Sequence, residues 1–413
     1  MSVTFDQIVA ARRRIQNGVL VSSCNEAIPL SEICGCTVFA KKEYLQRTGS
    51  FKERGARNAL MLLTEAERTA GVVAASAGNH ALALAYHGRE LGVPVTVVMP
   101  IFAPLIKQER CRQMGARVLL SGSNLGEARE LADNLVADEG LTYINGFDDD
   151  AVIAGQGTIG LEVLEQVGEL DALICPIGGA GLIAGVALAV KTMNPAIEII
   201  GVESENTASY QAALRAGSPV ETKMRPSLAD GLAVPTVGPN AFALAQKHVD
   251  RVVNVNEDDI ALAILRIVEL LKGVVEGAGA TSLAALLNGT LADLKGKRVA
   301  VLLCGGNIDP TILSRVMERG LVADGRLAQF KAIIEDRPGG LALLAQTIGD
   351  AGASIRQVVH ERAFTHASVR NVEVECTIEA KSHEHIEDVV KHLDSVGIRV
   401  FTEHSVGEYI SRR

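Results

Sequence analysis

Three short apolar runs in this chain each end in a glycine-bearing turn. Gly71-Val-Val-Ala-Ala runs into Ser76-Ala77-Gly78-Asn79-His80. Ala172-Leu-Ile-Cys-Pro-Ile177 runs into Gly178-Gly179-Ala180-Gly181. Arg298 to Cys304 runs into Gly305-Gly306-Asn307. Runs this short, bounded by glycine, read as strands, and helix-like segments follow the first two, at Ala81 to Leu91 and Leu182 to Met193. Two further pairs lie between them, Val93 to Met99 with Pro104 to Met114 and Ala116 to Ser121 with Glu127 to Glu139, and another strand follows at Ile197 to Val202. Strands that alternate with helices predict an α/β fold with parallel sheets.

The pattern changes late in the chain. Gly320 and Gly325 break a polar stretch, which places a linker at 317–326. Beyond it the order is strand (Gln329 to Glu335), helix (Gly340 to Ala351), strands (Ile355 to Ala363 and Val369 to Ile378), helix (His383 to Ser395) and strand (Ile398 to Glu403). This is the βαββαβ order of a split ferredoxin-like module. The expected division is a domain over 1–316, with a small subdomain at about 48–145 inserted in a large one, and a second domain over 327–413.

The 413 residues suffice for two or three cores, and a chain 48% hydrophobic and 22% charged should be globular. A net charge of -9 disfavours nucleic acid or an anionic membrane as the main partner. The seven cysteines are scattered, and Cys34-Gly-Cys36 has no second pair at zinc spacing, so free thiols in a reducing compartment are expected. No apolar h-region lies between Met1 and Val19 and no run is long enough to span a membrane, so a cytoplasmic protein is expected.

The chemistry centres on Thr48-Gly49-Ser50-Phe51-Lys52-Glu53-Arg54-Gly55, just before the helix-like run Ala56 to Leu63. A lysine at such a loop-to-helix junction can project into a cleft, and apolar or cationic neighbours favour its neutral, nucleophilic form. A solvated lysine at a helix start is the plainer alternative. Gly178 to Gly181 offers backbone N–H groups beside a helix's positive end, which suits a phosphate, although tight strand–helix packing also selects glycine. Ser76 to His80 offers a hydroxyl, an amide and N–H groups to a carboxylate, although Ser76 or Asn79 could simply cap the next helix. Cys304 has its own plain reading as a buried structural thiol.

In their order and spacing these segments, with Ala154-Gly155-Gln156-Gly157-Thr158, resemble the fold-type II pyridoxal 5'-phosphate enzymes over about residues 5–315. The resemblance is to the threonine/serine dehydratase and serine racemase group, whose fold is tryptophan synthase β-like with two α/β sheet domains. It implies that Lys52 carries the cofactor covalently and that Phe51 lies against its ring. It implies that Asn79 hydrogen-bonds the ring's 3′ oxygen and that Gly178, Gly179, Ala180, Gly181 and Leu182 hold the phosphate. Cys304 would face the pyridine nitrogen, and Ser76, Ala77, Gly78 and His80 would surround the substrate. The implied reaction is elimination from L-threonine to 2-oxobutanoate and ammonia, and from L-serine to pyruvate. Lys52 would take the Cα proton, and the cofactor phosphate would give one to the departing hydroxyl.

Two positions depart from the family pattern. Ala180 replaces the third of four glycines, which spares the backbone donors. Ala77 stands where the racemases of the group carry a serine that returns a proton from the opposite face. Some members bind a divalent cation after the strand at 197–202; Glu203 is a candidate ligand, but Ser209 stands where those members carry an acid. The C-terminal module resembles an ACT domain, whose turns Asp336-Arg-Pro-Gly-Gly340 and Gly352-Ala-Ser354 would take an amino-acid effector. A homo-oligomer, dimer or tetramer, is expected. The lead reading is a threonine dehydratase. The alternatives are a serine racemase, or an amino-acid sensor whose catalytic half is silent.

Overall fold

The computed structural model describes residues 3–362 and 370–401. They form two compact units, Met1–Pro310 and Thr311–Arg413. The first unit holds two sheets. The larger runs, in spatial order, Cys24–Glu26, Thr37–Lys42, Arg298–Leu303, Ala172–Pro176, Glu198–Ser204 and Arg251–Val255. The smaller runs Arg117–Leu120, Val95–Met99, Val72–Ala75 and Thr142–Tyr143, all parallel. The parallel expectation needs one correction. Edge strand Cys24–Glu26 pairs antiparallel with Thr37–Lys42, and its three residues carry no apolar run to announce it.

Each sheet has its own core. In the larger, helices Asp150–Val167 and Gly181–Met193 are buried along most of their length and pack on strands Ala172–Pro176 and Arg298–Leu303. In the smaller, helix Asn79–Leu91 supplies Ala81 to Ala85 against Val72, Val95 and Val97. Helix Lys52–Leu62 packs against both Asn79–Leu91 and Asp150–Val167. The Ala154–Thr158 motif lies inside this packing, because a Cβ on Gly155 would run into the Arg54 carbonyl. Its glycine therefore sets how closely the lysine-bearing helix can approach.

The second unit contains strands Leu327–Glu335, Ser354–Glu361, Asn371–Glu379 and Arg399–Phe401, with helices Gly340–Asp350 and His383–Ser395. The order is the expected βαββαβ. All pairs are antiparallel, in the spatial order 354–361, 371–379, 327–335, 399–401. Alternate residues of Asn371–Glu379 are buried, as one covered face requires, and they meet Leu344, Ile348, Val389 and Leu393. The stretch expected as a linker, 317–326, is helical as far as Ala323, within helix Pro310–Ala323. Only Asp324 to Arg326 join it to the next strand. Gly320 is buried on that helix, so its glycine signal marked packing rather than a break. Ala363, Val369, Thr402 and Glu403, expected as strand ends, lie outside the described residues. No helix among the described residues is long and apolar enough to cross a membrane, and all seven cysteines are free.

Candidate active site

Lys52 is the first residue of its helix. The loop before it is stitched to the turn after strand Arg298–Leu303. Phe51 N donates to the Cys304 carbonyl at 3.0 Å, Gly306 N donates to the Gly49 carbonyl at 2.9 Å, and Ser50 bridges Gly305. Asn307 Nδ2 donates to the Thr48 carbonyl at 2.6 Å, across 259 residues of sequence. The lysine motif and the Cys304 turn are thus one structure.

The Lys52 amine donates to the Gly146 carbonyl at 2.6 Å and lies 5.2 Å from the Phe51 ring centroid. Burial pulls its pKa down to about 8, against the opposing influence of Cys304 and Glu276. Gly146 carried no signal in the sequence reading. It is presented by a turn in which Asn145 Oδ1 accepts from the N–H groups of Phe147 and Asp148 at 3.0 and 3.1 Å.

Beneath Lys52 lies a buried ionic network that the sequence reading also missed. Arg54 donates to both oxygens of Glu43 at 2.8 Å and to both of Glu162 at 2.7 Å. Lys41 donates to Glu162 at 2.6 Å and to the Ser22 carbonyl at 2.7 Å. All four side chains are buried. Arg54 sits two residues from Lys52, so the network ties the lysine's helix to Glu162 of helix Asp150–Val167.

The turn Gly178–Gly181 opens helix Gly181–Met193, and Ala180 takes the left-handed conformation, with φ 71°. A non-glycine residue there costs about 1 kcal/mol. The chain tolerates this cost while holding a curled turn at a helix N-terminus. Among the described residues no amide from Gly178 to Leu182 finds a backbone acceptor. Five successive unspent donors at a helix's positive end are what a phosphate requires.

At Ser76–His80 the capping alternative fails. Helix Asn79–Leu91 begins without a side-chain cap, and Ser76 Oγ accepts only from Gly78 N, at 3.3 Å. Ala77 is half-buried against the small-sheet core. The expectation for His80 needs correcting at its side chain. Its Nε2 donates to the Ile144 carbonyl at 3.0 Å, and burial, then the Lys52 charge, depress its pKa to about 3. The neutral ring is already engaged, so His80 has only its main-chain N–H to offer a carboxylate.

The Asn79 amide is held at both ends, since Nδ2 donates to Glu276 at 2.6 Å and Oδ1 accepts from Asn307 at 2.8 Å. Glu276 was missed; the available signal was an acid directly before Gly277-Ala-Gly-Ala280 at the start of a buried helix. Cys304 is buried with its Sγ 3.7 Å from the Leu302 carbonyl, and burial keeps the thiol neutral by pushing its pKa well up. Glu203 is spent as a helix cap. Its two oxygens accept from Tyr210 N at 2.7 Å and Gln211 N at 2.9 Å, at the start of helix Ser209–Ala216. Among the described residues no three metal-ligating side chains converge.

These residues fit a phosphorylated aldehyde cofactor: a lysine amine with a depressed pKa, unspent amides for a phosphate and an oriented carboxamide. Fold and site together define an α/β enzyme suited to such a cofactor. The chain belongs to the family described as pyridoxal-phosphate dependent enzyme, whose model matches residues 15–305. It is 42% identical over 398 residues to the L-threonine ammonia-lyase of Thermotoga maritima, covering 96% of this chain and 99% of that protein. Among solved structures, the processed form of threonine deaminase isoform 2 from Solanum lycopersicum superposes with a TM-score of 0.73 at 36% identity. That match covers 76% of this chain and 93% of the other. Serine racemase from Dictyostelium discoideum gives 0.71 at 36% identity, over 75% of this chain and 100% of that one.

Proposed function

We propose that the protein is an L-threonine ammonia-lyase that also accepts L-serine, releasing a 2-oxo acid and ammonia. The observation that carries the reading is the Lys52 amine, with its pKa drawn down to about 8, in a chain matched along nearly its whole length to a threonine ammonia-lyase. When bound, pyridoxal phosphate supplies an aldehyde that takes up the substrate amine and a ring that withdraws electrons from Cα. The amides of Gly178 to Leu182 would hold its phosphate, Asn79 would donate to its ring oxygen, and Phe51 would line its ring. Cys304 presents a neutral thiol to the ring nitrogen. The Ser76 hydroxyl and the His80 amide would hold the substrate carboxylate, with Ala77 and Gly78 beside it. The Lys52 amine would be the base that takes the Cα proton.

The second unit is read as a regulatory ACT domain. In it a cavity of about 430 Å³ opens at Asp336, Arg337 and Gly339, beside His360 and Arg362. Charges of both signs around the cavity suit the ammonium and carboxylate of an amino-acid effector. A homo-oligomer in the cytoplasm completes the reading.

A substrate panel on purified protein tests it, scored for keto acid and for product chirality. Keto acid from L-threonine is the expected outcome. D-amino acid as the main product would overturn the reading in favour of a racemase.

A further inference from the structure

Glu276 is a buried carboxylate with no part in the reaction just described. Its position is closely determined. Glu276 N donates to the Gly305 carbonyl at 3.0 Å, and a Cβ on Gly305 would collide with Glu276 Oε1. The turn after strand Arg298–Leu303 is therefore shaped to admit this carboxylate. Oε1 accepts from Asn79 Nδ2 at 2.6 Å.

The rest of the network fixes which end of Asn79 is which. Asn307 Nδ2 donates to the Thr48 carbonyl at 2.6 Å, so it is the nitrogen end of Asn307 that faces this corner. The same nitrogen lies 2.8 Å from Asn79, which must therefore present its oxygen there. That leaves Asn79 Nδ2 toward Glu276. The amide nitrogen has two hydrogens; Glu276 takes one and the other is unspent.

We propose that Glu276 is a positioning residue that acts through Asn79, holding the amide so that its second N–H meets the ring oxygen of the cofactor. The proposal rests on the pyridoxal-phosphate reading. Without an acceptor at Glu276, Asn79 keeps only its Asn307 tether and can turn its nitrogen away. The carboxylate also titrates within the working range. Burial, then Asp230, lift its pKa to about 7, while Asn79 and Lys107 oppose the rise. Lys52 and Cys304 both feel its charge. Glu276 is thus a neutral acceptor below neutrality and a charged one above it.

The test is a titration of cofactor-free protein with pyridoxal phosphate, read by visible absorbance, for wild type, Glu276→Ala, Glu276→Gln, Asn79→Ala and the Asn79→Ala/Glu276→Ala double variant. Glu276→Ala should weaken capture about tenfold or more, and the double variant should be no weaker than Asn79→Ala within about twofold. Glu276→Gln keeps an acceptor for Asn79. It should match wild type below pH 7 and depart from it above, where only wild type gains a charge. Fully additive effects of Asn79→Ala and Glu276→Ala would overturn the proposal, as would a wild-type to Gln ratio that is flat with pH. If Glu276→Ala fails to fold, the pH course of the Gln variant decides alone. A wild-type protein that captures no cofactor would overturn the parent reading, and this proposal with it.

Discussion

The Lys52 amine rests 2.6 Å from the Gly146 carbonyl, on a turn outside every glycine motif that the sequence displays. The contact holds the amine at the cleft, where burial makes its neutral form accessible near pH 8. Two predictions follow from that placement.

Lys52→Ala should abolish both the visible absorbance of the bound cofactor and the release of keto acid. Lys41 is fully buried and committed to Glu162 and Ser22, and Lys107 is paired with Asp230, so neither stands in for the missing amine. Turnover by the variant without added amine would disprove the assignment.

The pH dependence has a definite sign. Lys52 titrates at about 8 in the folded chain, against an ordinary value of 10.5. Between these values the unfolded chain binds the extra proton, so the stability of cofactor-free protein rises with pH across that window. In urea melts, the advantage of Lys52→Met over wild type should shrink as pH climbs from 8 to 10.5. A constant difference would place the amine in solvent. Glu276, raised from 4.5 to about 7, acts in the opposite direction, its contribution being lost as pH rises through 7.

Arg54→Met should cost about 3–5 kcal/mol in urea unfolding, because Glu43 would be left buried without a cation and Glu162 with Lys41 alone. A loss below about 1 kcal/mol, the range of exposed pairs, would show that the network is open to water.

Ala77→Ser should raise the ratio of racemisation to elimination while leaving cofactor binding intact. Alanine has no proton to return to Cα from the side opposite Lys52, and an unplaced water is a poor substitute. Wild-type protein that racemises serine as fast as it deaminates it would refute this account of specificity.

A chain ending at Pro310 should fold, bind cofactor and turn over, because the first unit has two complete sheets with their own cores. Any response to isoleucine or valine should vanish with the second unit. A response that survives the truncation, followed in keto acid assays, would place the effector elsewhere.

Much of this architecture was legible because parallel strands buried on both faces leave continuous apolar runs, as in Ala172–Pro176 and Arg298–Leu303. The turns that follow them were legible because glycine is scarce elsewhere in such runs. Glu276, Asn145 and the Gly146 carbonyl were not. A backbone carbonyl has no residue signature, and a buried carboxylate looks like any surface acid until its neighbours are known. The linker at 317–326 misled for a related reason, since a glycine that packs on a helix and one that ends it look alike in sequence. Helices Ser209–Ala216 and Pro239–Ala245 escaped notice because each is two turns long, too short for a 3.6-residue period to show.

The stitching of Gly49–Phe51 to Cys304–Gly306 has a consequence for synthesis. Chains emerge from the ribosome N-terminus first, so Lys52 is out long before Cys304. The clamp on the lysine's loop nevertheless waits for Asn307, 259 residues after Thr48, and for the preceding strand Arg298–Leu303 to insert between Thr37–Lys42 and Ala172–Pro176. A nascent chain that stops short of Leu303 holds every other wall of the cleft but not the clamp on its lysine. Cofactor capture should therefore begin late, only when translation has passed the end of the catalytic unit. The protein would leave the ribosome with a folded small sheet and a site that matures last.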